Sequence, residues 1–214
     1  MPAAAGGKAG GSGDHVIVKL MMLGDSMVGK TSLMTRFCDG EFDNEYIVTI
    51  GVDFKSKKLE LNGRKLSIDV WDTAGQDRFN TIQSAYYARA MGVVMTYSIS
   101  DRESFGHVER WLVELQKHGS KGVQRILVGN KCDLVEERQV KYEEGEQLAR
   151  TNGMTFFETS AKDPAQCHVV DEAFLHLASL VAEQRYSAPP QAEAASPGAR
   201  KPESKKKNCN CSVS

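Results

Sequence analysis

The sequence predicts an α/β fold with a mostly parallel, six-stranded sheet, one antiparallel edge strand and helices on both faces. Three observations lead to this fold class. Apolar runs alternate with helical patterns along the chain, as in repeated β-α units. The first run is nearly continuous and ends in a glycine-flanked loop, which is typical of a strand buried on both faces. Asn62-Gly63 joins two other runs and is the strongest two-residue signal of an antiparallel hairpin.

The elements follow in order from these patterns. The first strand is predicted at residues 16–23, and a helix should begin near Gly29. The hairpin strands are expected at 52–61 and 64–71. The remaining strands are predicted at 92–97, 125–128 and 154–157, and the remaining helices at about 102–118, 142–151 and 168–184.

Length and composition indicate one folded domain with two flanking segments. The chain has 214 residues, of which 41% are apolar and 26% charged, so it can bury a substantial core. We expect a glycine-rich flexible extension at 1–14, a folded domain at 15–186 and a disordered tail at 187–214. The tail contains four of the six prolines and no aromatic residue.

The charge is distributed unevenly between these parts. The tail carries five Lys or Arg residues against two Glu, a surplus of +3. Because the whole chain has a net charge of −1, residues 1–186 carry a net charge of −4. An acidic body with a basic tail disfavours nucleic-acid binding and favours contact with an anionic membrane. The cysteines show neither a disulfide framework nor the spacing of a zinc site.

Residues 24–31 match the phosphate-loop pattern G-x-x-x-x-G-K-[ST], placed between a predicted strand and a predicted helix. The fold class is therefore refined to that of a P-loop NTPase. Backbone amides of such a loop bind phosphates, Lys30 is expected beside the β- and γ-phosphates, and the Thr31 hydroxyl should ligate Mg²⁺. The candidate phosphate-binding residues are Asp25, Ser26, Met27, Val28, Gly29, Lys30, Thr31 and Ser32.

A second motif follows the third predicted strand. Asp72 is expected to hold the metal through water, and Gly75 to bring a backbone N–H to the γ-phosphate. Gln76 is a candidate to orient the attacking water, which makes Gln76 and Lys30 the catalytic candidates. Thr49, in the long connection after the first helix, is the candidate second hydroxyl ligand. Taken alone, Thr49 would be interpreted as an ordinary β-forming residue at the edge of a strand.

The string Asn130-Lys131-Cys132-Asp133 indicates which base is bound. A carboxylate at Asp133 can accept two hydrogen bonds from the N1 and exocyclic amine of guanine, a pair that adenine lacks. The Lys131 stem is expected to pack on the ring system. Backbone groups of Ser160, Ala161 and Lys162, after the last predicted strand, are expected at guanine O6. Taken alone, Asn130 and Asp133 could be turn or helix-capping residues.

From about 16 to 182 the chain resembles a small GTPase of the Ras superfamily, specifically the Rab family. The strings that carry the resemblance are T-I-G-V-D-F at 49–54, W-D-T-A-G-Q at 71–76, R-F at 78–79 and Y-Y at 86–87. The resemblance implies that Phe42 packs against guanine and that Tyr46 closes over the phosphates. It also implies an effector-facing aromatic triad, Phe54, Trp71 and Tyr86.

The same resemblance implies a switch that binds GTP or GDP with Mg²⁺, hydrolyses GTP and recruits effectors in vesicle traffic. Its implied partners are an exchange factor, a GTPase-activating protein, effectors and an escort protein for the prenylated tail, with no nucleic acid and a monomeric state. Rab tails typically carry two geranylgeranylated cysteines, here Cys209 and Cys211, which imply attachment to the cytoplasmic face of a membrane. The final serine by itself would favour farnesyl on Cys211.

The sequence departs from the usual Rab pattern at several places. Met27 stands where a small residue is common in the phosphate loop, Asp77 replaces Glu, and Ala88-Arg89 replaces Arg-Gly. The loop at 163–168 is longer than usual. Two alternatives stay open at this point: a GTP-bound scaffold that hydrolyses slowly or not at all, and an ATP-dependent kinase that uses the same phosphate loop.

Overall fold

The computed structural model describes residues 16–43, 49, 51–61, 63–73 and 86–187. Within them, six strands form one sheet in the order β2-β3-β1-β4-β5-β6, with β2 antiparallel to β3 and the other pairs parallel. The strands are β1 Val16–Leu23, β2 Val52–Leu61, β3 Arg64–Thr73, β4 Gly92–Ser98, β5 Gln124–Asn130 and β6 Thr155–Glu158. The predicted fold class is confirmed.

The helices among these residues are α1 Lys30–Asp39, α2 Arg102–Gly106, α3 Val108–His118, α4 Tyr142–Thr151 and α5 Cys167–Ser187, with short 3-10 turns at Val135–Glu137 and Pro164–Gln166. The helix predicted at 142–151 is confirmed at both ends. The prediction of a single helix at 102–118 is wrong. Two helices occupy that range, because the first ends at Gly106, a poor helix former, and His107 caps both of them.

The hairpin between β2 and β3 forms as its turn residues predict. Leu61 lies opposite Arg64 in the register, so two residues make the turn, and Gly63 has a φ of +74° that suits glycine. Asn62 lies outside the described residues. Strand β3 continues through Asp72 to Thr73, two residues beyond the predicted end, so Asp72 is part of the strand.

Two apolar cores cover the two faces of the sheet, and β1 contributes alternate side chains to each. Val18, Leu20 and Met22 pack with α1 and α5 on one face, while Met21 and Leu23 pack with α3 on the other. This alternation is the period of a strand buried on both sides. The buried sheet fixes the carboxyl ends of its parallel strands at one edge, where the functional side chains lie.

No helix within the described part of the chain is long and apolar enough to cross a membrane.

Candidate nucleotide-binding site

The carboxyl ends of β1, β5 and β6 lie at the same edge of the sheet, and each is followed by a loop with polar side chains. The phosphate loop, residues 24–29, follows β1, and the segment 131–133 follows β5. Residues 159–162 follow β6, and Asp72 lies near the end of β3. In open α/β sheets the crevice outside the strand ends is where ligands bind. The sequence therefore places its candidate residues where the fold provides a site.

Glycine is required at both ends of the phosphate loop by close packing. A Cβ at Gly24, where φ is +140°, would lie 2.0 Å from the Thr96 carbonyl oxygen. A Cβ at Gly29, where φ is +96°, would lie 2.3 Å from Asn130 Nδ2. Helix α1 begins directly after Gly29, and no described side chain caps its first amides. These amides and the positive end of the helix dipole suit an anion such as phosphate.

Lys30 is held inside the phosphate loop. Its side chain is 5% exposed, and its ammonium donates a hydrogen bond to the Asp25 carbonyl oxygen at 2.6 Å. Burial lowers the pKa of Lys30 to about 8, although the charges of Asp72 and Asp25 oppose the shift. A bound phosphate would add negative charge beside this ammonium and favour its protonated form.

The Asp25 carboxylate is anchored by α3, an arrangement that the sequence analysis did not predict. Its Oδ1 accepts a hydrogen bond from Trp111 Nε1 at 2.7 Å, and its Oδ2 lies 2.5 Å from His107 Nδ1. His107 and Trp111 are four residues apart, so they share one face of the helix. That spacing was the available signal, but nothing in it points to Asp25, 82 residues away from His107.

The three predicted metal ligands converge on one point. Thr31 Oγ1 lies 2.5 Å from Asp72 Oδ2 and 2.9 Å from Thr49 Oγ1, while Thr49 Oγ1 lies 3.2 Å from the same carboxylate oxygen. The other oxygen, Asp72 Oδ1, is buried without a hydrogen-bond partner among the described residues. Burial raises the pKa of Asp72, against the hydrogen bond from Thr31 and the charge of Lys30.

This donor set fits Mg²⁺. Two hydroxyls and a carboxylate are hard oxygen ligands, and Mg²⁺ is usually held by a few such groups together with water and substrate phosphates. The buried, unpaired Asp72 Oδ1 also needs a positive partner or a donor. Among the described residues, no group of three or more His, Cys, Asp or Glu side chains is arranged to hold a metal ion.

At the other end of the site, Asn130 joins the loop after β5 to the phosphate loop. Its side chain is buried, and Nδ2 donates to the Val28 carbonyl oxygen at 2.9 Å. Thr159 Oγ1 donates a longer hydrogen bond, 3.4 Å, to Asn130 Oδ1. Because both ends of the amide are used within the protein, Asn130 acts as a bridge between three loops.

The segments 131–133 and 159–162 are also bound directly to each other. Ser160 Oγ donates to Asp133 Oδ1 at 2.5 Å, and the Cys132 amide donates to the Thr159 carbonyl oxygen at 3.0 Å. Lys131 holds a left-handed conformation with φ of +65°, and its side chain is half-buried. The predicted guanine-reading residues are therefore assembled into one rigid pair of loops.

Other predicted site residues lie around this frame. Phe42 is half-buried against the core on the α1 side, and Ser26 and Ser32 are half-buried near the start of α1. Met27 is 65% exposed at the tip of the phosphate loop, with φ of +65°. Tyr46, Gly75, Gln76, Cys209 and Cys211 lie outside the described residues.

The predicted aromatic triad is brought together on the surface. Phe54 and Trp71 are partners in the β2-β3 register, and the ring centroids of Trp71 and Tyr86 lie 5.3 Å apart in an edge-to-face arrangement. Phe54 is 50% exposed.

Known proteins resemble this chain over most of its length. The model of the Ras family matches residues 19–183. The Ras-related protein Rab-13 of Bos taurus is 48% identical over 165 residues, which cover 77% of this chain and 79% of that protein. The GTP-binding protein ypt2 of Schizosaccharomyces pombe is 44% identical, covering 80% and 84%, and Rab-8B of Homo sapiens is 47% identical, covering 76% and 77%.

The fold and the site define a guanine-nucleotide-binding protein of the P-loop class. The chain belongs to the Ras family, and within it to the Rab GTPases. It hydrolyses GTP and works as a switch in vesicle traffic, with the exchange factors, GTPase-activating proteins and effectors that are general to Rab proteins.

Proposed function

We propose that the edge of the sheet described above binds GTP with Mg²⁺, with the phosphates at one end of the site and guanine at the other. The phosphates lie on the amides of residues 25–32, with Lys30 beside the β- and γ-phosphates. Guanine lies between Lys131 and Phe42 and is read by Asp133 and by the backbone of residues 160–162. The observation that carries this proposal is the convergence of Thr31, Thr49 and Asp72 beside the buried Lys30.

Mg²⁺ would be held by the hydroxyls of Thr31 and Thr49, with Asp72 contributing through water. Mg²⁺, when bound there, supplies positive charge to the β- and γ-phosphate oxygens. Thr49 lies in the connection between α1 and β2, far from Thr31 in the chain but 2.9 Å from it in space. In the GTP state the metal and the γ-phosphate would hold Thr49 at this place, so loss of that phosphate releases the connection and changes the surface.

Hydrolysis needs little covalent chemistry from the protein. A water molecule oriented by Gln76 attacks the γ-phosphorus, and the bond from that phosphorus to the bridging β-γ oxygen breaks. GDP and inorganic phosphate leave. Lys30 stabilises the negative charge that grows on the leaving oxygen, because its ammonium is fixed by Asp25 before the reaction begins. An arginine from a GTPase-activating protein completes the site.

The outer surfaces carry the remaining roles. Effectors bind the GTP state at Phe54, Trp71 and Tyr86. These aromatic residues belong to β2, to β3 and to the segment that begins at Tyr86. Cys209 and Cys211 carry the prenyl groups, which an escort protein covers in the cytosol and which attach the monomeric chain to the cytoplasmic face of a membrane. Basic residues of the tail strengthen this attachment to anionic lipids.

The test is single-turnover hydrolysis of GTP preloaded with Mg²⁺, with Gln76→Leu measured beside the wild type. We expect slow hydrolysis in the wild type and a rate at least about tenfold lower in the variant, since a lost orienting contact removes about 1.4 kcal/mol or more of transition-state stabilisation. ATP in excess should not compete during loading. Guanine binding without turnover would instead favour the scaffold, and effective competition by ATP would favour the kinase.

A further inference from the structure

Arg36, in the last turn of α1, joins the two segments that border the proposed guanine position. Its Nε donates to the Ala161 carbonyl oxygen at 2.8 Å, and one Nη donates to the Lys162 carbonyl oxygen at 3.4 Å. The other Nη donates to the Gly40 carbonyl oxygen at 2.8 Å. One guanidinium thus holds the loop after β6 and the end of α1 that leads to Phe42.

The loop after β6 is also held by a second set of contacts, centred on the Ser160 hydroxyl. Ser160 Oγ donates to Asp133 and accepts hydrogen bonds from the amides of Lys162 and Asp163 at 3.2 and 3.0 Å. No hydrogen bond between described residues uses the Ala161 N–H. This amide is therefore available to donate to guanine O6. The direction of its N–H depends on how the Ala161 backbone is held, and Arg36 holds the carbonyl oxygen of the same residue.

We propose that Arg36 is a positioning residue for guanine recognition, which orients the Ala161 amide toward O6 and ties it to the segment carrying Phe42. The inference rests on the proposed guanine site and names a residue that acts through the protein backbone without touching the base. Because α1 begins at Lys30 and ends beside Arg36, the same helix then fixes both ends of the nucleotide.

The chemistry of the side chain explains why arginine suits this place. Its planar fork presents several donors in fixed directions and can bind three carbonyl oxygens at once, which a lysine ammonium cannot do in the same geometry. A positive charge at the end of α1 is also favoured by the helix dipole. Ala161 is 3% exposed, so its carbonyl oxygen has little access to water if Arg36 is lost.

The experiment measures release of GDP and of 6-thio-GDP from the full chain and from two variants. Arg36→Met keeps the apolar stem and removes every donor, while Arg36→Lys keeps the charge and removes the fork. Arg125→Met is the matched control, because Arg125 donates to the Asn152 carbonyl oxygen at the opposite end of the strands. The sulfur probe keeps the groups that Asp133 reads and replaces O6 with a weaker acceptor.

We expect GDP release to be about tenfold faster from Arg36→Met, and faster also from Arg36→Lys, with Arg125→Met unchanged. The preference of the wild type for GDP over 6-thio-GDP should shrink in both Arg36 variants, because the contact to O6 is already weakened. Single-turnover hydrolysis of bound GTP should stay at the wild-type rate, since the phosphate end is untouched.

Two results would overturn the proposal. One is GDP release at the wild-type rate from Arg36→Lys and, where it folds, from Arg36→Met. The other is faster release with an unchanged preference for GDP over the sulfur probe, which would assign Arg36 a general role in stability. A wild-type chain that released GDP and ADP alike would overturn the guanine site itself, and this inference with it.

Discussion

Met27 and Lys131 hold left-handed backbone conformations at the two ends of the nucleotide site. Both have φ of +65°, a region that residues with a Cβ enter at a cost of roughly 1–2 kcal/mol. Strain of this kind persists only where the surroundings fix the backbone. At Lys131 the neighbouring Cys132 amide is bound to Thr159, and at Met27 the loop is fixed on both sides by Gly24 and Gly29.

Met27→Gly tests this strain directly. The Met27 side chain is 65% exposed and contributes little burial, so glycine loses few contacts and removes the left-handed penalty. We expect the free energy of unfolding of the GDP-bound protein to rise by about 0.5–1 kcal/mol, measured in urea. Lys121→Gly, at an exposed turn position without a positive φ, is the comparison. A loss of stability in Met27→Gly would show that the methionine makes a contact worth more than the strain.

At the scale of elements, the break between α2 and α3 has a role that a continuous helix would not fill. His107 ends one helix and starts the next, which turns its ring to within 2.5 Å of the Asp25 carboxylate. Trp111, one turn later, donates to the other oxygen. The Asp25 carbonyl oxygen in turn holds Lys30. Helix α3 therefore positions the phosphate loop, and through it the ammonium proposed to act in hydrolysis.

Trp111→Phe removes one donor from Asp25 and keeps most of the packing. A hydrogen bond to a charged group contributes about 1.5–3 kcal/mol, so we expect a loss of stability near the lower value and release of GDP about tenfold faster. Urea unfolding and stopped-flow release of a fluorescent GDP analogue measure the two effects.

Trp71→Phe is the matched control for Trp111→Phe, because Trp71 lies in the aromatic triad and gives Asp25 no hydrogen bond. Its GDP release should stay unchanged. If the two variants behaved alike, the contact with Asp25 would have no effect on the nucleotide.

At the scale of the whole molecule, the described sheet and helices form the edge at which the proposed nucleotide site lies. Among the described residues, the buried members of the two apolar cores lie between Val16 and Val181, and α5 packs on one of the cores. We therefore predict that the proposed attachment to a membrane is separable from binding of the nucleotide.

A chain cut after residue 187 checks this separation. We expect its melting temperature to lie within about 2 °C of that of the full chain and its GDP release to be unchanged, because the described core residues are all kept. After treatment with a prenylating enzyme mixture, only the full chain should float with liposomes containing phosphatidylserine. Membrane binding by the shortened chain would place the attachment site within the domain.

Much of the fold could be predicted because its signals are local. The strand β1 is a continuous apolar run, the hairpin has Asn-Gly at its turn, and α4 has a clear helical period, so each was placed correctly. The helix at 102–118 was predicted as one because its apolar period continues across Gly106. The break depends on capping by His107 and on the neighbouring phosphate loop, which the local pattern does not reveal.

The sequence by itself determined the class of fold, the phosphate loop and the base to be read, because each depends on short spacings whose geometry the backbone fixes. Only the tertiary structure decided which distant residues support them. Asp25 meets Trp111 and Arg36 meets Ala161, across 86 and 125 positions of the chain. Such contacts exist only after the sheet has brought its strand ends to one edge, so no local pattern encodes them.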